Sequence, residues 1–341
     1  MKILALGHRF SGCFYHRIWL PSMLMEGKER ARVTDTITED TFKERWDIVF
    51  VNRMWAKDDL FKLRDEYGFK LVLDMDDYWV LDHHHMDYDH YTDGGYDVKV
   101  TQHLRKADLV TCTHERLAER IRPYNENVVI CPNAIPYGFG QYIDQVEPTE
   151  KIKLFWAGGI SHELDLKVIA DPMKKLFPHI KDKVKCYIGG YADGNPYEAG
   201  IWGKMADYFM YNGNYDGTAL RGMPVDEYYQ LFSYADIMLI PLKKSNFNQY
   251  KSNLKILEAA GKRIPVVVSA VHPYLGFPED LVNYASDSQM WIHWVNKLVN
   301  DKGFRLEQGE RLYEYCKTHY NFFEINKKRQ EAFTSLIPVN T

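Results

Sequence analysis

Short apolar runs of strand length, most of them followed by a helical stretch, recur along the whole chain, and this alternation most restricts the fold. In the first half the runs are Lys2–Leu6, Asp47–Val51, Lys70–Asp74, Leu109–Cys112 and Val128–Cys131, with helical patterns around Lys57–Tyr67 and Glu115–Arg122. In the second half they are Ile152–Trp156, Val184–Ile188, Ile237–Leu242 and Val266–Val268, with helices expected from Glu163 and over Val225–Tyr234. Strands alternating with helices at this spacing predict α/β architecture with parallel, doubly wound sheets covered on both faces. A segment rich in Gly, Pro and polar residues, Pro136–Glu150, interrupts the pattern once and reads as a linker. Two domains are therefore expected, Met1–Ile135 and Lys151–His319. Helical patterns over Trp291–Val299 and Lys302–Ala332 close the chain. With 341 residues and 45% hydrophobic content, two cores of ordinary size can be buried.

The stretch Tyr250–Ala270 carries the sharpest chemical signal. It reads as a helix opening at Ser252-Asn253, closing at Gly261, and passing through Pro265 into an apolar strand. Lys251, Lys255 and Glu258 fall within about 60° of one another on that helix. Lysines crowd the positive end of the helix dipole, where cations are disfavoured. A bound anion removes the conflict, because first-turn N–H groups and lysines then share a phosphate. Glu258 lies too far along to cap the helix, and a carboxylate there suits the two hydroxyls of a ribose. The alternative is a solvated helix with a Lys255/Glu258 pair worth roughly 0.2–0.5 kcal/mol.

The runs Ile237–Leu242, Lys251–Gly261 and Ile264–Val267 resemble the donor-site signature of retaining GT-B glycosyltransferases of the GT4-like group. The resemblance implies two Rossmann-like domains facing a cleft, and a final segment, Tyr320–Thr341, crossing back to the first domain. It implies transfer of a sugar from a nucleoside-diphosphate sugar, the co-substrate, with no other cofactor. Ser252, Asn253 and Lys255 would hold the diphosphate and Glu258 the ribose. The glycines of Gly158-Gly159 would let the donor approach the backbone, and His162 or Lys167 would supply a second cation. The loop at Gly222-Met223, with Arg221 before it, would correspond to the one that in the family holds the base through backbone atoms, which places Arg221 and Met223 among the expected donor-site residues. On the acceptor side, the loop at Gly12 and the guanidinium of Arg17 would line the cleft. One position departs from the pattern: where the family often has a second glutamate, this chain has Tyr250.

The segment Asp74-Met75-Asp76-Asp77, followed by Asp82-His83-His84-His85-Met86-Asp87, raises a rival reading. Asp74, Asp76 and His83–His85 would then hold a divalent metal for a metal-dependent transferase. The GT-B resemblance gives the segment another role, with Asp76 or Asp77 orienting the acceptor or acting as base and His85 touching the transferred sugar. A third reading is a nucleotide- or sugar-binding module without turnover, which release of nucleoside diphosphate on adding acceptor would separate from an enzyme.

Composition narrows the setting. A net charge of −4 and a pI near 6.4 argue against a surface built for tight non-specific nucleic-acid binding. The five cysteines are scattered and without CxxC spacing, so reduced thiols and a cytoplasmic protein are expected. No stretch approaches the roughly 18 apolar residues of a membrane span. The expected acceptor is a polysaccharide or another soluble molecule, with a hydroxymethylated base of phage DNA, in the host cytoplasm, as the nucleic-acid case.

Overall fold

The computed structural model describes residues 1–8, 11–26, 30–53, 58–143, 150–192 and 194–338. Arg9 and Phe10 of the first loop, Lys57, and positions 144–149 of the expected linker lie outside the described residues. The chain divides into two compact units. The first comprises Met1–Ala134, Tyr250–Ser252 and Tyr320–Thr341, and the second Ile135–Gln249 and Asn253–His319.

The first unit is built on one parallel sheet of order β2-β1-β3-β4-β5-β6. Its strands are β1 (Lys2–Leu6), β2 (Arg30–Thr34), β3 (Ile48–Asn52), β4 (Lys70–Met75), β5 (Leu109–Cys112) and β6 (Val128–Ile130). Alternate side chains enter two cores, as the pleat requires. Leu4, Leu6, Val49 and Val51 meet Leu60, Phe61, Leu104 and Leu117, which come from α1 (Asp58–Tyr67), α2 (Tyr96–Lys106) and α3 (Glu115–Ile121). Ile3, Ala5, Phe50 and Val72 pack with Phe14 and Ile18 on the other face. The helical run after β1 passes through a π-helical turn, Tyr15–Trp19, which carries Arg17 inward. Single π turns of this kind recur at functional sites.

The second unit repeats the plan with the order β12-β11-β10-β7-β8-β9. Its strands are β7 (Ile152–Ala157), β8 (Val184–Tyr191), β9 (Gly217–Arg221), β10 (Ile237–Ile240), β11 (Val266–Ser269) and β12 (Asn283–Ala285). Around them lie α4 (Ala170–Ile180), α5 (Pro196–Met210), α6 (Leu254–Gly261), α7 (Ser288–Asn300) and α8 (Lys302–His319). Gly309 on α8 permits close approach to the turn after α6, since a Cβ there would run into the Arg263 carbonyl oxygen. The described part of the expected linker packs within this unit: the Tyr137 hydroxyl donates to the Leu257 carbonyl oxygen at 2.7 Å, and Tyr142 is buried.

Three elements differ from the sequence expectations. The helix expected over Val225–Tyr234 is a 3₁₀ run, Tyr228–Tyr234. The long terminal helix is two helices, because Asn321 accepts hydrogen bonds from the N–H groups of Phe323 and Glu324 and starts α9 (Phe322–Thr334). Strands β2, β9 and β12 were absent from the expected set. Helix α9 belongs to the first unit, where Phe333 packs 5.0 Å from Phe50 and Asn326 donates to the Pro21 carbonyl oxygen at 2.9 Å.

Candidate functional site

In the second unit, the chemistry gathers at the carboxyl ends of β7, β8 and β9, where ligands bind in sheets of this order. Helix α6 begins after Asn253, whose side chain makes no cap bond. The Lys255 ammonium donates to the carbonyl oxygen of Ala157, the last residue of β7, at 2.8 Å. It also lies 5.2 Å over the ring of Trp156. A Cβ on Gly158 would come within 3.0 Å of the Lys255 Nζ, so lysine and glycine loop share one corner. Gly190, at φ +101°, seats its backbone against Gly158, where any Cβ would run into the Gly158 carbonyl oxygen. Gly222 donates to the Tyr191 carbonyl oxygen at 2.7 Å, which brings Arg221 and Met223 to the same edge.

His162 is oriented by Asp165, with 2.7 Å between Nδ1 and Oδ2. Asp165 also accepts from the Lys243 N–H and from Asn248 Nδ2, each at 2.9 Å, so one buried carboxylate ties the β7 loop to the β10 loop. Glu258 is 5% exposed, and burial pushes its carboxyl up to about 8 against the opposing pull of Lys255. A carboxyl raised in the folded state makes stability fall as pH rises between about 4.5 and 8, by at most a few kcal/mol. The thermal midpoint of the unliganded protein should therefore drop relative to Glu258→Gln over that window. Parallel curves for the two proteins would contradict the burial argument.

In the first unit, a second set of groups lies at the ends of β3, β4 and β5. Arg17 is 1% exposed and forks onto Asp74, Nε to Oδ2 at 2.9 Å and Nη2 to Oδ1 at 2.8 Å. Its Nη1 donates to the Cys131 carbonyl oxygen and to Asn133 Oδ1. Asn133 in turn donates to Ser252 Oγ at 2.7 Å. Burial works against the Arg17 charge, but Asp74 outweighs it and raises the guanidinium above its ordinary value. Asp76 is held below the usual carboxylate range by Arg53, against burial, with the Cys13 thiol as a further hydrogen-bond partner. Arg53 Nε stands 3.7 Å from Asp76 and Nη2 3.8 Å from Asp77. His85 lies in the fields of Asp77, Arg53 and Lys251, and burial lowers its ring below the usual histidine value. Space opens at Gly12, where a Cβ would meet nothing within 4 Å.

Two sequence expectations change. Arg17, expected as an exposed acceptor-side cation, is buried, with its guanidinium bonded to Asp74, the Cys131 carbonyl and Asn133. The metal set loses its anchor, because Asp74 is 0% exposed and accepts from Arg17 and from Thr111 Oγ1 at 2.6 Å. Asp76 and Asp77 meanwhile face a guanidinium. No group of three or more metal-ligating side chains occurs among the described residues. The sequence reasoning also missed Arg53. Its signal was position, one residue past the end of β3, where doubly wound sheets place ligands.

Tyr250 is 1% exposed and belongs to the first unit. Arg120 Nε donates to its hydroxyl at 2.6 Å, Tyr78 lies 4.6 Å from its ring, and its carbonyl oxygen contacts His114 Nε2 at 3.1 Å. The residue at the departing position is thus an anchor in the first unit, set five residues before Lys255.

No family model matches the sequence, and no curated protein matches it. Solved structures match by shape. Sucrose-phosphate synthase from Thermosynechococcus elongatus aligns over 98% of this chain and 99% of its own, with a TM-score of 0.72 and 13% identity. Anabaena HepE in complex with UDP and glucose aligns over 98% and 100%, at 0.67 and 13%. A glycosyltransferase from Rickettsia africae aligns over 100% and 99%, at 0.66 and 9%. Together with two six-stranded parallel sheets, these matches over whole chains identify the architecture as the GT-B fold of glycosyltransferases, built from two Rossmann-like domains.

Proposed function

We propose that the chain is a glycosyltransferase that moves a sugar from a nucleoside-diphosphate sugar to a hydroxyl of a glycan acceptor, with retention of anomeric configuration. The observation that carries this reading is the corner where Lys255 meets Gly158, with Glu258 buried one turn further along α6. There the lysine and the first-turn N–H groups of α6 stabilise the charge that builds on the leaving diphosphate, the kind of electrostatic term that dominates many enzymatic accelerations. Glu258 accepts from the ribose hydroxyls, and the backbone at Gly222-Met223 receives the base. Uridine is supported as that base by HepE, solved with UDP. On the acceptor half, Asp76 and Asp77, fixed by Arg53, orient the incoming hydroxyl, and His85 approaches the transferred sugar. Retention is supported by the GT4-like signature around α6. No helix among the described residues is long and apolar enough to cross a membrane, and the free cysteines suit a reducing cytoplasm.

Titration with UDP tests the donor half. UDP should stabilise the protein, and above pH 8, where the raised Glu258 carboxyl is ionised, Glu258→Ala should weaken binding by roughly 1.5–3 kcal/mol, the range for a hydrogen bond to a charged group. Equal affinity for UDP and its 2′,3′-dideoxy analogue would refute the ribose role. Since lysine and helix amides neutralise the diphosphate, turnover should be almost unchanged in EDTA. Activity lost to chelator and restored by manganese would return the chemistry to Asp76, Asp77 and the histidines.

A further inference from the structure

The first unit carries a cavity of about 410 Å³ that none of the donor or acceptor groups above occupies. Tyr78, Trp79 and Tyr124 supply its aromatic walls. The Trp79 indole is fixed by donating to Thr101 Oγ1 at 3.0 Å, and Tyr124 meets it edge-on at 5.9 Å. Around the rim stand Asp97, Gln102, Arg105 and Glu119, with Arg120 beside them. The Arg105 guanidinium lies 5.4 Å over the Tyr124 ring, which holds a planar donor fork at the mouth.

We propose that this cavity is a binding subsite for a neutral oligosaccharide, the extended part of the acceptor. Three features argue for that ligand. Its volume falls within the roughly 300–1,000 Å³ of small-molecule sites, enough for a short glycan. Aromatic walls suit the apolar faces of sugar rings, while carboxylates, an amide and guanidinium groups suit vicinal hydroxyls. The rim is also charge-balanced, two carboxylates against two guanidinium groups, so it has no excess field to draw a phosphate or a nucleic acid. The subsite continues into the acceptor half already described. Tyr78 follows Asp77 directly, and Arg53, which faces Asp76 and Asp77, donates to the Tyr78 carbonyl oxygen at 3.1 Å. The two carboxylates thus stand one and two residues before Tyr78, a wall of the cavity. The identification of the ligand as acceptor rests on the transferase reading.

The test is an array of neutral and anionic oligosaccharides probed with the full chain, alongside UDP titration of the same samples. The wild-type protein should retain neutral glycans. Gln102→Ala/Arg105→Ala alters only exposed side chains and should cut that retention by about tenfold or more, with UDP affinity unchanged. Val98→Trp, at a 56% exposed position on the cavity lining, should block it by bulk. Retention of no neutral glycan, retention of anionic ones alone, or equal retention by wild type and both variants would each overturn the proposal. Glycan retention without UDP binding would keep the subsite and discard the transferase reading. UDP binding without glycan retention would do the reverse.

Discussion

Replacing Lys255 by alanine should lower kcat on the order of 10²-fold or more, by analogy with loss of a single oxyanion donor, while the fold survives. The ammonium sits at the end of β7, 2.8 Å from the Ala157 carbonyl oxygen and beside Gly158, in the corner assigned to the diphosphate. Charge on that diphosphate grows as the glycosidic bond breaks, so the interaction strengthens toward the transition state. Its loss should therefore depress kcat more than it raises KM. The competing account makes Lys255 a structural lysine that bridges α6 to β7. In that account Lys255→Ala leaves turnover near wild type and costs about 1 kcal/mol of stability for the lost hydrogen bond. Thermal midpoint and turnover measured on one sample separate the two. Turnover that stays at the wild-type level would remove the donor-site assignment of α6.

The elements that the sequence disclosed and those it hid differ in burial. Runs such as Ile48–Val51 and Ile237–Ile240 are buried at every position, and their unbroken apolar character marks strands covered on both faces. The three missed strands, β2, β9 and β12, all lie at sheet edges. β2 reads Arg-Ala-Arg-Val-Thr, and β9 is exposed at alternate positions, so neither shows the apolar run that reveals an inner strand. The groups proposed to hold the donor could be grouped from the sequence because they are local, on one helix and the loop after one strand. The buried network of the first unit could not, because Arg17 and Asp74 are 57 residues apart and Asn133 lies 116 from Arg17. Composition places both charges on a surface by default. Only the π turn that points Arg17 inward and the end of β4 that receives it reveal the pair. Arg53 escaped notice for a similar reason, since its partners Asp76 and Asp77 come from the next strand.

The Arg17–Asp74 pair should prove to be the most destabilising place in the first unit to cut. Arg17→Met leaves the Asp74 carboxylate buried with only Thr111 among the partners described here, and breaking a buried pair from one side typically costs about 3–5 kcal/mol. For a unit of this size that corresponds to a fall in thermal midpoint of roughly 6–20 °C. Arg17→Lys should recover little, because a point charge cannot reproduce two parallel bonds to Asp74 together with those to Cys131 and Asn133. The double variant Arg17→Met/Asp74→Leu should regain part of the loss, since an apolar pair of similar volume removes the stranded charge. It should not regain all of it, because the Cys131 carbonyl, Asn133 and Thr111 lose their partners. The order of stability, wild type above double variant above Arg17→Met, is the signature of a positioning pair. Were Arg17 instead an acceptor-binding cation, Arg17→Met would keep the wild-type midpoint and raise KM for the acceptor, and the double variant would show no recovery. The pair is also linked to the segment that leads into α6, because Asn133, which accepts from Arg17, donates to Ser252 Oγ, three residues before Lys255 in the chain. Loosening that anchor should therefore lower UDP affinity in Arg17→Met even below the melting range, and unaltered affinity would confine the pair's influence to the first unit's core.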